Sequence, residues 1–113
     1  RRAVHRLDGL VKTKTSFVMD SSVDRSWVDF KKKISDAGYE WLLISFDMSR
    51  KWVEKMYELH GNSHLPFIDQ YFQQHEDFIG EHGIDVDVVI TDGTFSRRND
   101  IALQAMRDFL NQI

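Results

Sequence analysis

The chain has 113 residues, of which 42% are hydrophobic and 29% are charged, and its formal net charge is −3 at pH 7. This length predicts one domain, and the apolar fraction suits a packed core, which excludes intrinsic disorder. The absence of cysteine excludes disulfides, a thiol nucleophile and cysteine-ligated zinc. No apolar run approaches the roughly 20 residues that span a bilayer, so we expect no membrane contact and a cytoplasmic location.

The charge is unevenly distributed along the chain. Residues 1–33 contain nine Lys/Arg against four acids, whereas residues 34–113 contain six against fourteen. The sequence also begins at Arg1 and not at methionine. Together these features predict a single domain, residues 1–113, excised from a longer bacterial or mobile-element protein. Its partner would be another protein or the remainder of its own chain, with nucleic acid as a further candidate.

The N-terminal segment has the pattern of a β-hairpin. Asp8-Gly9 lies between the alternating runs at residues 3–7 and 10–15, and an Asp-Gly pair suits the positive φ angles of a type I′ turn. The second strand continues to residues 17–19, where both alternating sets become apolar and should enter the core.

A helix and a buried strand are predicted next. In residues 23–37, Trp27, Phe30 and Ile34 form one apolar stripe, and a glycine follows the last turn. Residues 41–46 are almost continuously apolar, which is typical of a strand that is buried on both faces in a parallel sheet.

The second half of the chain predicts three more helices and a last strand. Ser49 can cap the second helix, residues 67–82 form the third, and residues 84–91 form the strand. The final helix starts at about Arg97 or Asn99 and continues to the end of the chain. Its expected core face consists of Ala102, Ala105, Met106, Phe109, Leu110 and Ile113.

The predicted element order is β-β-α-β-α-α-β-α. Strands that alternate with helices indicate an α/β fold, with α+β as the alternative. We expect a mixed sheet of about four strands in a three-layer or two-layer arrangement, with the N-terminal hairpin at its edge.

An aspartate follows three of the predicted strands: Asp20, Asp47 and Asp92. Ligands of open parallel sheets bind at the carboxyl ends of the strands, so three neighbouring strands would bring these carboxylates together. Clustered carboxylates suit Mg²⁺, and Mg²⁺ serves phosphoryl and phosphodiester chemistry. Equally, each aspartate or a nearby serine can simply cap the helix that follows it. Both interpretations stay open.

Two further sites are candidates for contact with anions or partners. The loop after the last strand supplies Gly93, Thr94, Ser96, Arg97 and Arg98, and its helix N-terminus favours phosphate. The basic hairpin supplies Arg1, Arg2, Arg6, Lys12 and Lys14, which could contact nucleic acid or a protein partner. The alternatives are a surface loop with internal ion pairs and a solvated sheet edge.

Two short segments resemble known families. Residues 17–23 resemble the opening of PIN-type nucleases, and residues 89–92 resemble their late acidic strand. Residues 89–92 equally resemble the phosphoacceptor strand of receiver domains, and Gly93 stands where the nuclease family repeats the acid. We therefore assign no family and no catalytic residue.

The leading hypothesis is a non-catalytic interaction or regulatory domain that contacts protein or nucleic acid and needs no cofactor. It follows from the charge distribution and from the absence of a specific catalytic motif. The alternative is a Mg²⁺-dependent phosphodiester or phosphoryl enzyme that uses Asp20, Asp47 and Asp92.

Overall fold

A computed structural model describes residues 16–19, 23–61 and 65–112. These residues are 68% helical and 7% strand. The chain divides into two compact units, residues 1–41 and 42–113. This division does not test the prediction that residues 1–113 are one domain excised from a longer protein. Each unit is described by itself.

In the first unit, the helix α1 extends over Val23–Asp36. The predicted stripe of Trp27, Phe30 and Ile34 is buried. These side chains share one face because an α-helix repeats every 3.6 residues. The indole rings of Trp27 and Trp41 meet edge to face, with their centroids 6.1 Å apart.

The end of α1 is fixed by its backbone. Gly38 has a φ of 81°, in the left-handed region that favours glycine. The Gly38 N–H donates to the Ser35 carbonyl at 3.0 Å, and the Tyr39 N–H donates to the Ile34 carbonyl at 2.9 Å. This pair of bonds is the Schellman arrangement, which satisfies carbonyls that the helix end leaves open.

The described part of the second unit has two strands and three α-helices. The strands are β1, Ile44–Phe46, and β2, Val88–Ile90; the helices are α2, Arg50–Leu59, α3, Ile68–His82, and α4, Arg98–Gln112. Single 3₁₀ turns occupy Leu65–Phe67, Gly83–Asp85 and Phe95–Arg97. None of the helices in the described residues is long and apolar enough to cross a membrane.

The two strands are parallel and in contact. Ile44 lies opposite Val88, and Phe46 lies opposite Ile90. At the start of the pair, the Asp87 carboxylate accepts the Leu43 N–H at 2.8 Å. The Leu43 carbonyl in turn accepts the Asp87 N–H at 2.9 Å. These bonds satisfy backbone groups where the ladder begins.

The core of the second unit lies around the strands. Its buried apolar side chains are Leu43, Met48, Ile68, Phe78 and Ile90. Ile90 in β2 is the most enclosed of these, with 1% of its surface exposed. Helix α4 packs against β2, and the first turn of α2 is joined to α3 by Arg50. The guanidinium of Arg50 pairs with Glu54 and Asp69, and these hydrogen bonds raise its pKa.

The predicted mixed sheet of about four strands is wrong. The described residues contain two short parallel strands and are mostly helical. The apolar run at residues 41–46 pairs only over its last three residues, and Ile84 lies in a 3₁₀ turn and not in a strand. Residues 17–19 form no strand, and Val18 is 86% exposed. The predicted hairpin over residues 1–15 lies outside the described residues.

Candidate functional site

An open cleft lies at the carboxyl ends of β1 and β2. Its volume is about 390 Å³, and it is lined by Asp47, Met48, Ser49, Thr91, Asp92 and Gly93. The cleft arises because β1 and β2 are parallel, so the loops that follow them leave the sheet at the same edge. The structure therefore brings Asp47 and Asp92 to one cleft, as their positions after neighbouring strands led us to expect.

Asp92 is engaged in capping the neighbouring helix α2. Its Oδ1 accepts the Ser49 backbone N–H at 2.8 Å. Hydrogen bonds from the Ser49 hydroxyl and N–H hold the pKa of Asp92 below its ordinary value of 3.8. Ser49 is itself the N-cap of α2, since its Oγ accepts the Trp52 N–H at 3.1 Å. The carboxylate thus connects the loop after β2 to the start of α2.

Asp47 faces a histidine from another element. The Nε2 of His75, in α3, lies 3.4 Å from the Oδ1 of Asp47. His75 is mostly enclosed, and its ring is stacked beside that of Phe78 with centroids 6.3 Å apart. The two side chains approach each other where the loop after β1 passes α3. Sequence reasoning missed this pairing, because nothing local to Asp47 indicates a partner 28 residues further along the chain.

The third predicted carboxylate, Asp20, lies outside the described residues. No group of three or more His, Asp or Glu side chains that could hold a metal ion occurs among residues 16–19, 23–61 and 65–112. Arg1, Arg2, Arg6, Lys12 and Lys14, the predicted nucleic-acid or partner contacts, also lie outside the described part. The three-carboxylate site and the basic surface stay predictions.

The predicted anion loop after β2 is partly occupied by its own bonds. The Thr91 N–H donates to Thr94 Oγ1 at 2.9 Å, and the Thr94 N–H donates back to the Thr91 carbonyl at 3.1 Å. The guanidinium of Arg98 lies 4.1 Å above the Phe95 ring and donates to the Phe95 carbonyl at 2.9 Å. Gly93, Ser96 and Arg97 are exposed. These bonds do not test whether the loop binds anions, so anion binding stays a prediction.

An aromatic cluster borders this loop. The Phe95 ring is 4.7 Å from Trp52 and 6.3 Å from Phe46, measured between centroids. The cluster joins α2, β1 and the 3₁₀ turn before α4, and Arg98 covers part of it through a cation–π contact. Its members are engaged with each other, so we interpret the cluster as packing that holds the strand-end loops in place.

A different surface lies on the outer face of α4. Leu103, Met106 and Leu110 are exposed by 49%, 39% and 62%. Their spacing of three and four residues places them next to each other on the helix surface, and we call these three residues the α4 stripe. The prediction that Met106 and Leu110 belong to the core is wrong. The residues of α4 that turn inward and are half-buried are Ile101, Ala102, Ala105 and Phe109, and Ile113 lies outside the described residues.

Comparisons of the chain with protein-family models, curated proteins and solved structures found no match.

Proposed function

We propose that the chain is a non-catalytic interaction domain that contacts another protein, and that the α4 stripe is the centre of the contact surface. The observation that carries this proposal is the exposure of Leu103, Met106 and Leu110, which are adjacent on one helix face. Single exposed apolar residues are common, but adjacent ones that are rimmed by polar groups mark protein contacts.

The surroundings of the α4 stripe support this interpretation. Asp100, Gln104 and Arg107 are exposed polar residues on the same helix. An apolar centre with a polar rim is the usual anatomy of a protein–protein interface. Because α4 already packs against β2, the stripe stands on a supported helix and needs little ordering before it binds.

Charge favours a protein over a nucleic acid as the partner of this surface. Residues 34–113 contain six Lys/Arg and fourteen acids, and such an excess of negative charge repels a phosphate backbone. Of the two arginines where the 3₁₀ turn Phe95–Arg97 meets α4, Arg98 is held against Phe95. A regulatory role within a larger protein fits the same surface, and a cytoplasmic location stays a prediction of the sequence.

Site-specific photo-crosslinking tests the proposal. Benzoylphenylalanine at position 106 places the reactive ketone on the α4 stripe, and the same residue at position 104 is the matched control. Gln104 is exposed on the same helix, about 130° away from the centre of the stripe. We expect covalent adducts with a polypeptide from position 106 and few from position 104, with the purified chain or with an extract of its source cells.

Two results would overturn the proposal. One is the absence of polypeptide adducts at position 106, or equal labelling at both positions. The other is tight binding of fluorescent DNA or RNA that weakens steeply with salt and is reduced in Arg97→Ala, since that behaviour belongs to a nucleic-acid-binding domain. The variant Met106→Gln keeps the side-chain length and serves as the control for replacing the methionine itself.

A second candidate function is the Mg²⁺-dependent phosphodiester or phosphoryl enzyme. The observation that favours it is that Asp47 and Asp92 line the same cleft at the strand ends. In that case calorimetry should detect Mn²⁺ binding with a dissociation constant below about 1 mM. Binding should be lost in Asp47→Asn and in Asp20→Asn, and it should persist in Asp108→Asn, whose carboxylate is exposed on α4. Equal heats for all four proteins would exclude this candidate.

A further inference from the structure

The loop after β2 contains an aspartate that is followed directly by a glycine, Asp92-Gly93. In such a pair the backbone nitrogen of the glycine can attack the carboxyl carbon of the aspartate, because glycine has no Cβ to hinder the approach. Both residues are exposed, and a Cβ built at Gly93 would meet only Thr91 Oγ1, at 4.0 Å. Neither the residue types nor the neighbouring packing therefore blocks this reaction.

The reaction rearranges the main chain and needs only water and a proton, both of which it returns. The Gly93 nitrogen forms a bond to Cγ of Asp92. One carboxylate oxygen leaves as water with the amide proton and a proton from solvent, which closes a cyclic succinimide. Water then adds to one carbonyl of the ring and breaks its bond to nitrogen. Opening at the α-carbonyl leaves the chain continued through Cγ, which is isoaspartate, and opening at Cγ restores aspartate.

The native turn holds the reacting atoms apart. The Thr94 N–H donates to the Thr91 carbonyl at 3.1 Å, so Asp92 and Gly93 are the central residues of a β-turn. Gly93 has no left-handed φ, which excludes types II and I′ and fits type I, the commonest class. In a type I turn, ψ of the first central residue is about −30°, whereas ring closure eclipses the glycine nitrogen with Cβ at a ψ of about −120°. The backbone of Asp92 must therefore rotate by about 90°, which breaks the turn.

Two further hydrogen bonds secure this loop. The Thr91 N–H donates to Thr94 Oγ1 at 2.9 Å. The Oδ1 of Asp92 accepts the Ser49 N–H at 2.8 Å, and this bond restrains the carboxyl group that the Gly93 nitrogen must reach. The reaction thus requires local opening of the loop, and its rate is the intrinsic rate multiplied by the open fraction of the molecules.

From these constraints we propose that Asp92-Gly93 is a modification site at which isoaspartate forms, and that the Thr91–Thr94 turn sets the rate. This site lies in the cleft and is independent of the α4 stripe. Isoaspartate lengthens the main chain by one carbon and displaces the carboxylate that accepts the Ser49 N–H. The modified chain therefore loses the bond between the loop after β2 and the start of α2.

Peptide mapping of aged protein tests this site. The chain is incubated near neutral pH in buffer and in urea and is then digested. The aspartate and isoaspartate forms of the peptide that contains Asp92 are separated, with an isoaspartate-specific carboxyl methyltransferase as the label. Isoaspartate should form in both samples, and about tenfold or more slowly in buffer than in urea. Asp8-Gly9, which lies outside the described residues, is the same residue pair and serves as the reference for the reaction in urea.

Variants of Thr94 test the control by the turn. Thr94→Ala removes the acceptor of the Thr91 N–H, so it should raise the rate in buffer about fivefold and leave the rate in urea unchanged. Thr94→Ser keeps the hydroxyl and should react like the original chain. Ser96→Ala is the matched control, because it removes an exposed hydroxyl from the same loop. Circular dichroism verifies that each variant retains its helices.

Equal rates in buffer and in urea would contradict control by the turn, and so would equal rates in buffer for Thr94→Ala and the original chain. The absence of isoaspartate at Asp92 from every folded sample would show that the native protein has no modification site there. If Thr94→Ala does not fold, the comparison of buffer with urea decides. All of these results are independent of the crosslinking from the α4 stripe, so the two proposals can fail separately.

Discussion

The cleft at the strand ends and the outer face of α4 differ in how completely their side chains are engaged. In the cleft, the carboxylate of Asp92 caps α2 and that of Asp47 faces His75. On the outer face of α4, Leu103, Met106 and Leu110 have large exposed fractions. The two aspartates that first suggest chemistry thus take part in contacts within the fold, whereas Met106 and Leu110, which were assigned to the core face of α4, are exposed.

The contrast shows that residue type alone does not distinguish a ligand-binding carboxylate from one that stabilises the fold. An aspartate at a strand end is a potential ligand, but it is also a good acceptor for the free N–H groups of a helix start. A hydrogen bond to one carboxylate oxygen occupies a position that a ligand could otherwise use, and in Asp92 that oxygen is Oδ1. An exposed apolar side chain has no such competing role, so its exposure is the stronger indication of binding.

The largest expected change in stability comes from creating a cavity in the core around β2. Ile90→Ala removes methyl groups from the most enclosed core side chain of β2 and should lower the free energy of unfolding by about 2–5 kcal/mol. Urea unfolding followed by tryptophan fluorescence measures this change. Val89→Ala, at the exposed neighbouring position, is the control. Similar losses for both variants would show that β2 is not packed as described.

The next effect concerns the cap between the two strand-end loops. Ser49→Ala removes the acceptor of the Trp52 N–H and should lower the free energy of unfolding by about 1 kcal/mol. Ser96→Ala, exposed in the loop after β2, should be neutral within about 0.5 kcal/mol. If Ser49→Ala were also neutral, the cleft residues would not be structural, and the contrast with α4 would fail.

A smaller effect should appear in the pH dependence of stability. Because the pKa of Asp92 is lowered by its bonds to Ser49, the charged carboxylate stabilises the fold above pH 3.8, and this contribution is lost as the pH falls through the lowered pKa. Asp92→Asn should be less stable than the original chain at pH 7, and the difference should shrink below pH 3.8. Thermal unfolding of both proteins between pH 2 and 7, about the range of carboxylate titration, measures this difference in stability.

A difference that does not depend on pH would contradict the assigned role of the Asp92 charge. Asp108→Asn serves as the control, since Asp108 is exposed and accepts a hydrogen bond from Gln104 one turn earlier on the same helix. Its unfolding curve should follow that of the original chain across the same pH range.

The smallest effect on stability is expected at the α4 stripe itself. Leu110→Ser should change the free energy of unfolding by less than about 0.5 kcal/mol, because this side chain is largely exposed in the free chain. The same variant should weaken binding to the polypeptide that the α4 stripe contacts. A loss of several kcal/mol on unfolding would mean that Leu110 belongs to a core, and the contact surface would have to lie elsewhere.

The sequence predicts the helices better than the sheet, for identifiable reasons. The stripe of Trp27, Phe30 and Ile34 and the cap at Ser49 are local signals. The stripe predicts the helix α1, and α2 begins directly after the predicted cap. The apolar run at residues 41–46 indicates burial but not pairing, and only Ile44–Phe46 finds a partner strand.

The site is predictable only in outline for the same reason. The order of elements is enough to place Asp47 and Asp92 at one edge of a parallel sheet. The acceptor role of Asp92 toward Ser49 and the approach of His75 to Asp47 depend on contacts between distant segments. Periodicity finds the apolar sector of α4 but does not say which part of it the rest of the chain covers.

A single crosslinking experiment can compare protein binding at the α4 stripe with protein binding at the cleft. Benzoylphenylalanine at position 106 reports on the α4 stripe, and at position 93 it reports on the cleft, where a Cβ added to Gly93 would make an ordinary van der Waals contact with Thr91 Oγ1 at 4.0 Å. We expect polypeptide adducts from position 106 and few from position 93. Adducts from position 93 with none from position 106 would contradict it and would place protein binding at the cleft.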